Sequence, residues 1–310
     1  MNCDTKIAAG IVTYNPDQWD RYENGIKKIL EQVDKIYVFN DGDKLDNISD
    51  ARIDVFSENE NKGVAYALNR IMNKAKNDGY VWVLTMDQDS LIPDGLVNEY
   101  RTAIDNNENI GIVCPQVIDI RRNYMNISKE PKQEFVEFCI TSASCTSIEA
   151  WEKIGGFDEW LFIDLVDNDF CKRLIASGYK ILKLNDLVLN QEFGRIVPKN
   201  EKTQRFWLKV SKIFHNPNFA KFSYKKYVNP MRVYYTCRNI IYVNKKLGQH
   251  SRIGYKENYN CKGYVGFIIS FILPSILRAQ NKIAVIKAVI NGTNEGLRKK
   301  VTTWSIKDRL

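Results

Sequence analysis

Two carboxylates separated by one residue, Asp87-Gln88-Asp89, follow directly on Tyr80-Val81-Trp82-Val83-Leu84-Thr85-Met86. Val, Trp and Leu in an unbroken run favour a buried strand. Alternate residues of a strand face one side, so Asp87 and Asp89 are placed to point together just past its end. Open α/β sheets bind ligands at that edge. Two hard oxygen ligands there suit a divalent cation clamped to a diphosphate. Taken alone, the tripeptide reads as readily as a polar loop. A second acidic run, Phe157-Asp158-Glu159-Trp160-Leu161-Phe162-Ile163-Asp164-Leu165-Val166-Asp167-Asn168-Asp169-Phe170, mixes carboxylates with aromatic rings. Such rings stack on sugars, and a carboxylate can take a proton from a hydroxyl. Asp167 and Asp169 also stand where a helix begins, and either one alone reads as a cap worth about 1 kcal/mol.

The elements that must position these groups alternate between strand and helix. Ile7 to Thr13 reads as a strand ending in Tyr14-Asn15-Pro16. Trp19 to Gln32 carries Tyr22, Ile26, Ile29, Leu30 and Val33 at helical spacing. Lys35 to Phe39 is a second strand, ending in the turn signal Asn40-Asp41-Gly42-Asp43. A short strand at Ile53 to Ser57, a helix at Gly63 to Lys76 and the strand ending at Asp87 complete a βαβ pattern. That pattern predicts a mostly parallel sheet with crossover helices. Three loops then share the C-terminal edge of the sheet: Thr13–Asn15, Asn40–Gly42 and Asp87–Asp89. Further on, Leu96 to Asn106, Ile148 to Ile154 and Asp167 to Ser177 read as helices. Gly111 to Pro115, Phe135 to Ile140, Tyr179 to Leu184 and Leu187 to Leu189 read as strands. After about Arg195 the chain reads as mostly helical, including Pro230 to Lys246 and Gly263 to Ile290.

Composition narrows the chemistry. A chain of 310 residues can bury a full core. Its two histidines, His215 and His250, lie far from the carboxylates, which excludes histidine triads and multi-histidine metal sites. Seven cysteines without a Cys-x-x-Cys pair predict free thiols in a reducing cytoplasm. The N-terminus lacks the apolar core and cleavage site of a signal peptide. No stretch approaches the roughly 20 apolar residues of a spanning helix. Tyr264 to Leu277 is short and contains Pro274, and reads as a buried or interfacial helix. The net charge of +8 hides a split: residues 195–310 hold 24 basic and 4 acidic residues, leaving 21 basic and 33 acidic in residues 1–194.

The ordered set of motifs resembles the family 2 glycosyltransferases of the GT-A fold, in particular their bacterial rhamnosyltransferase branch. The matching segments are Val12-Thr13-Tyr14-Asn15-Pro16, Asn40-Asp41-Gly42, Asn61-Lys62-Gly63-Val64-Ala65-Tyr66-Ala67-Leu68-Asn69 and Asp87-Gln88-Asp89-Ser90. Gly155-Gly156-Phe157-Asp158-Glu159, Phe162 to Asp169 and Tyr234-Tyr235-Thr236-Cys237-Arg238-Asn239 complete it. The resemblance implies a Rossmann-like catalytic domain over residues 1–195 and a basic helical region over 196–310. It implies that Asp89, with Asp87, holds Mg2+ or Mn2+ on the donor diphosphate, and that Asp87 also meets the donor's ribose or sugar end. Thr13, Tyr14, Asn15, Asn40 and Asp41 would line the nucleobase pocket, with Lys62 and Gly63 near the diphosphate. Many relatives carry Asp where this chain has Asn40. Asp167 would be the catalytic base of an inverting reaction. Trp160, Phe162, Asp164, Asp169, Arg238 and Asn239 are candidate acceptor contacts, and for the last two helix packing is an equal reading. The implied donor is dTDP-rhamnose, with UDP-linked hexoses or galactofuranose open. A pyrophosphorylase is disfavoured, because residues 10–20 lack a glycine-rich, basic phosphate loop.

Arg205-Phe206-Trp207-Leu208-Lys209 and Phe222-Ser223-Tyr224-Lys225-Lys226-Tyr227 interleave basic and aromatic residues. This suits the inner face of an anionic membrane, and nucleic acid is the competing reading. The apolar stretch from Gly266 to Leu277 favours the membrane, with a lipid-linked glycan as acceptor. A second subunit packed on these helices is the plainer alternative.

Overall fold

A computed structural model of the protein describes residues 5–43, 45, 50–122, 125–248 and 252–306; Cys3 and His250 lie outside them. The chain opens with β1 (Ile7–Thr13), α1 (Trp19–Leu30), β2 (Ile36–Asn40), β3 (Ile53–Phe56), α2 (Val64–Asn77), β4 (Trp82–Asp87) and α3 (Leu96–Asp105). There follow β5 (Ile110–Ile118), β6 (Gln133–Val136), β7 (Ser144–Ser147), α4 (Ile148–Ile154), α5 (Val166–Ala176) and β8 (Lys180–Asn190). The basic part holds β9 (Ile196–Pro198), α6 (Glu201–Ile213), β10 (Tyr224–Lys226), α7 (Pro230–Lys246), α8 (Tyr255–Tyr259), α9 (Gly263–Phe267), α10 (Leu273–Arg278) and α11 (Lys282–Arg298).

Eight strands form one sheet in the order β3-β2-β1-β4-β7-β5-β8-β6. β3, β2, β1 and β4 are parallel, and their register sets Thr13 beside Asn40 and Val12 beside Asp87. The three expected loops therefore leave one edge. β5 pairs parallel with β8, whereas β7 runs against β4 and β5, and β6 against β8. The sheet is thus mixed but mostly parallel, with helices on both faces. One apolar core packs α1 and α3 against it, and the other joins α2, α4 and α5 to α7 and α11 in a single cluster.

Four local readings differ from the sequence expectation. β7, Ser144-Cys145-Thr146-Ser147, is fully buried yet has no apolar pattern. Its neighbour Thr85 satisfies the polar surroundings, donating to the Thr141 and Ser144 carbonyls at 2.6 and 3.1 Å. The two short strands around Asn185 are one strand, β8. There the Asn185 amide is taken up by the Pro131 carbonyl at 2.7 Å and Glu134 at 3.0 Å, so the polar interruption continues the pairing. The long helix expected from Gly263 is broken. A π-turn at Ile268–Ile272 precedes Pro274, whose missing N–H removes a rung of the ladder, and Asn281 caps α11 through Ala284 N at 3.0 Å. The run Tyr255–Arg278, 24 residues, holds an 18-residue stretch with a mean hydropathy of 1.4 and so meets the length and composition of a membrane span, contrary to the sequence expectation. That expectation left out the residues before Tyr264, and left-handed Asn260 interrupts the run between α8 and α9.

Two glycines let α11 lie tightly on α7. A Cβ at Gly292 would stand 2.3 Å from the Tyr234 carbonyl oxygen, and one at Gly296 would stand 2.6 Å from that of Arg238. The described cysteines are all free thiols.

Candidate active site

β4 ends at Asp87, where the buried apolar strand gives way to solvent. The Gln191 amide, at the end of β8, donates to Asp87 Oδ2 at 3.2 Å and to Asp89 Oδ1 at 3.5 Å. Gln191 is itself fixed by Ser90 and Ser142, whose hydroxyls donate to its carbonyl oxygen. Arg21 Nε donates to the Asp89 carbonyl at 2.5 Å, fixing the turn. The surrounding protein, and then the charge of Asp89, raise the Asp87 carboxyl to a pKa of about 6, with Arg232 opposing. Two carboxylates that repel one another at an open sheet edge fit a divalent cation, which takes one or two carboxylates and fills its remaining positions with phosphate oxygens and water. Asp87 and Asp89 are the residues that would hold it; among the described residues no larger His/Cys/Asp/Glu cluster exists.

The β1 and β2 loops lock together beside this pair. Tyr14 N donates to Gln88 Oε1 at 2.8 Å, and exposed Tyr14 projects from the edge. Asn15 and Asp43 exchange hydrogen bonds at 2.7 and 3.1 Å, and a Cβ at Gly42 would strike Asn15 Oδ1 at 2.2 Å. Thr13 is fully buried against the Tyr22 hydroxyl, so it supports the loop from beneath. The Asn40 side chain is occupied within its own turn, with Asp43 O at 2.7 Å and Gly42 N at 3.1 Å. Among the described residues Asp41 has no side-chain hydrogen-bond partner. Burial, and then Glu58, push it up to about 6. Lys62 lies over the Tyr66 ring at 4.7 Å and reaches Glu58 at 3.5 Å. Gly63, at φ 92°, leaves no room for a Cβ against Phe162, and Val64 N donates to the Phe162 carbonyl at 2.8 Å.

Asp167 stands in the first turn of α5. Burial, and then the charge of Asp87, raise its pKa to about 7, so the two carboxylates from distant parts of the chain act on one another. The approach to this helix is strained: Asp164 and Leu165 have φ of 68° and 63°, a region that residues other than glycine seldom enter. One face of α7 holds it there. Arg232 Nε donates to Asp164 Oδ2 at 2.8 Å, Thr236 donates to the same oxygen at 3.3 Å, and the Asn239 amide donates to the Ile163 and Asp164 carbonyls at 2.8 and 2.9 Å. Residues 232, 236 and 239 follow the i, i+4, i+7 spacing of a single helix face.

The neighbouring face of α7 holds the rest of the loop. Arg238 lies 3.9 Å from the Trp160 ring and donates to the Trp160 carbonyl at 2.7 Å. Tyr242 donates to Asp158 at 2.8 Å and stacks on Trp160. Lys246 bridges Asp158 at 2.6 Å and Asp169 at 2.8 Å, and Asp169 also pairs with Arg173 at 2.6 Å.

These contacts correct several acceptor expectations. Asp169 and Asn239 are wholly buried, and Arg238 is 7 % exposed. All three are engaged inside the protein and position the loop rather than face a ligand. Phe162 stacks on Tyr235 at 5.0 Å. Asp164 stays near the carboxylates but is tied to Arg232. Gln191, Arg232 and Thr236 escaped the sequence reading. The α7 spacing around Asn239 was the available signal for the last two, and Gln191 carried none.

Residues 9–157 match the profile of Glycosyl transferase family 2. The match spans the three strand-end loops and stops short of Asp167. The dTDP-rhamnosyl transferase RfbF of Shigella flexneri is 26 % identical over 316 residues, covering 95 % of this chain and 96 % of that protein. Among solved structures, a mannosyltransferase, PcManGT from Pyrobaculum calidifontis, in complex with GDP-Man and Mn2+, superposes with a TM-score of 0.52 at 16 % identity, over 95 % of this chain and 76 % of that one. GalNAc-T7 with UDP, GalNAc and Mn2+ also gives 0.52, at 11 % identity, over 87 % of this chain; the present chain spans only 57 % of it. Strand order, loop placement and these matches together make this chain a glycosyltransferase of the GT-A fold, similar over residues 9–157 to Glycosyl transferase family 2 and rhamnosyltransferase-like in sequence.

Proposed function

We propose that the protein transfers a sugar, with inversion, from a nucleoside diphosphate to a hydroxyl of a lipid-linked glycan, in the building of a cell-surface polysaccharide. The donor best supported is dTDP-L-rhamnose, because the relative that matches nearly the whole chain is a dTDP-rhamnosyl transferase. UDP-linked hexoses are the alternative. The observation that carries the reaction class is the electrostatic coupling of Asp87, at the end of β4, to Asp167, at the start of α5. It links a cation-and-diphosphate site to a carboxylate with a pKa of about 7, near the optimum for a general base at neutral pH.

Asp167 accepts the proton of the acceptor hydroxyl. The acceptor oxygen bonds to the anomeric carbon on the face opposite the diphosphate, the carbon–phosphate-oxygen bond breaks, and the nucleoside diphosphate leaves with that electron pair. Asp87 and Asp89 would hold a divalent cation, which would supply charge neutralisation for the departing diphosphate. The β1 and β2 loops, with Asn15, Asn40 and Asp41, receive the nucleoside. α7 holds the Asp164–Leu165 turn and so fixes the start of the helix that bears Asp167. The exposed apolar and basic surface of residues 196–310 faces the cytoplasmic side of the membrane, where a lipid-linked acceptor resides.

A panel of dTDP- and UDP-sugars with Mn2+ tests this reading by nucleoside diphosphate release. Proton NMR of the product from the preferred donor gives the anomeric outcome. Inverted product from dTDP-rhamnose is expected; no consumption of any donor, or retention of configuration, refutes it.

A further inference from the structure

Five cations from four separate stretches of chain converge beside the candidate site: Arg122 after β5, Lys221 before β10 and Lys226 at its end, Arg232 in the first turn of α7, and Arg278 at the end of α10. Several contacts fix their places. β10 pairs with β9 so that Lys226 lies opposite Ile196, and its Cε would be 3.9 Å from a Cβ on Gly194. That is three residues from Gln191, which bridges Asp87 and Asp89. Arg122 donates to the Phe193 carbonyl at 2.7 Å, on the same segment. Arg278 covers the Phe222 ring at 4.7 Å, next to Lys221. Arg232 ties the group to Asp164.

Arg122 is paired with Asp119 at 3.0 Å and Arg232 with Asp164, but the other three cations are under-compensated. Among the described residues Lys221, Lys226 and Arg278 form no ion pair with a carboxylate, though 37 acidic residues are available in the chain. Burial, and then Lys226, Arg122 and Arg278, push the Lys221 ammonium down to about 8. Lys226 is open to the cleft, yet protein around its ammonium and the same two arginines lower it too, against the pull of Asp164. Gathering desolvated like charges disfavours the folded chain unless an anion joins them. A row of apolar side chains leads to the same place. Val265, Ile269, Leu273 and Leu277 recur every four residues, are 48–72 % exposed, and end at Arg278.

We propose that Lys221, Lys226 and Arg278, backed by Arg122 and Arg232, form a subsite for the diphosphate of a lipid-linked acceptor, whose lipid lies along the Val265–Leu277 row. This rests on the glycosyl-transfer reading above and names the acceptor's chemistry. Multiple ammonium and guanidinium groups suit a diphosphate, and the apolar row suits the attached prenyl chain. Binding there would bring the first sugar of the acceptor toward Asp167.

The test is calorimetry on the full chain saturated with dTDP and Mn2+, titrated with farnesyl diphosphate, inorganic pyrophosphate or farnesol. Farnesyl diphosphate should bind at least tenfold more tightly than either fragment. The double variant Lys221→Gln/Lys226→Gln should weaken it at least tenfold, with dTDP affinity unchanged and no fall in melting temperature, because like-charge repulsion is relieved. Arg278→Gln alone should show the same loss in smaller measure, should the double variant fold poorly. Unchanged farnesyl diphosphate affinity in the variants would overturn the proposal. So would equal affinity for pyrophosphate, which marks a free-phosphate site, or an equal loss of dTDP affinity, which marks the donor's own diphosphate. If the wild type binds no dTDP, the donor reading fails, and farnesyl diphosphate binding measured without dTDP still decides the cluster.

Discussion

Replacing Asp167 by Asn should abolish transfer while making the protein more stable at alkaline pH. The carboxyl is raised from 3.8 to about 7 by burial and by Asp87. At ~1.4 kcal/mol per pH unit, an ionised group so placed costs the fold about 4 kcal/mol. Solvent on its open side reduces this to about 2 kcal/mol. Asn also forgoes the favourable interaction of a first-turn carboxylate with the helix dipole, about 0.5 kcal/mol, so a net gain of about 1.5 kcal/mol is expected above pH 7. The gain depends on pH with a definite sign. Because the folded-state value is raised, the folded protein binds the proton more tightly than the unfolded chain. The wild type therefore loses stability as pH rises from about 4 to about 7, and Asp167→Asn does not share that loss. Urea denaturation of both proteins at pH 5 and pH 8 measures it. The advantage of Asp167→Asn should be more than twice as large at pH 8. A variant less stable than wild type at pH 8, or one that retains turnover, would refute the placement of this carboxylate as a desolvated base.

Three other perturbations probe the scaffold. Asn239→Ala removes both donors to the Ile163 and Asp164 carbonyls and should cost about 2–3 kcal/mol in denaturant melts, with turnover falling further as the Asp164–Leu165 turn relaxes. Gly63→Ala puts a Cβ 2.4 Å from the Phe162 carbonyl at a φ of 92°, and thermal denaturation should show a loss of roughly 2–4 kcal/mol. Lys246→Met leaves Asp158 and Asp169 without their shared cation and should cost about 3–5 kcal/mol in urea melts; an unchanged midpoint would mean the network carries no weight.

The parallel half of the fold was legible because its physics is local. Apolar runs in β1, β2 and β4 end in turn residues, and the amphipathic α1 and α2 fill the crossovers. The strand-end rule then set three loops on one edge. What escaped depends on partners distant in sequence. β7 is buried through side-chain hydroxyls and backbone pairing, so no hydrophobic alternation announces it. Gln191 matters because β8 ends beside β4's loop, a fact of topology alone. Asp169 and Asp167 look alike in the sequence, two residues apart at a helix start. The register of α5 turns Asp169 inward to Arg173 and Lys246, while the carboxyl of Asp167 is left within reach of the charge of Asp87. Arg238 and Asn239 stood out as part of a motif, and their buried contacts give it a structural role: α7 holds the loop that leads into the helix bearing Asp167.

The most direct test of the central claim measures nucleoside diphosphate release from dTDP-rhamnose with Mn2+ and an acceptor, for wild type, Asp89→Ala and Asp167→Asn side by side. Cation-and-diphosphate binding at Asp89 and base catalysis at Asp167 predict turnover in the wild type and a loss of at least about 100-fold in each variant. Asp89→Ala should also lose Mn2+-dependent dTDP binding, which Asp167→Asn should keep. Full turnover in either variant would contradict the account.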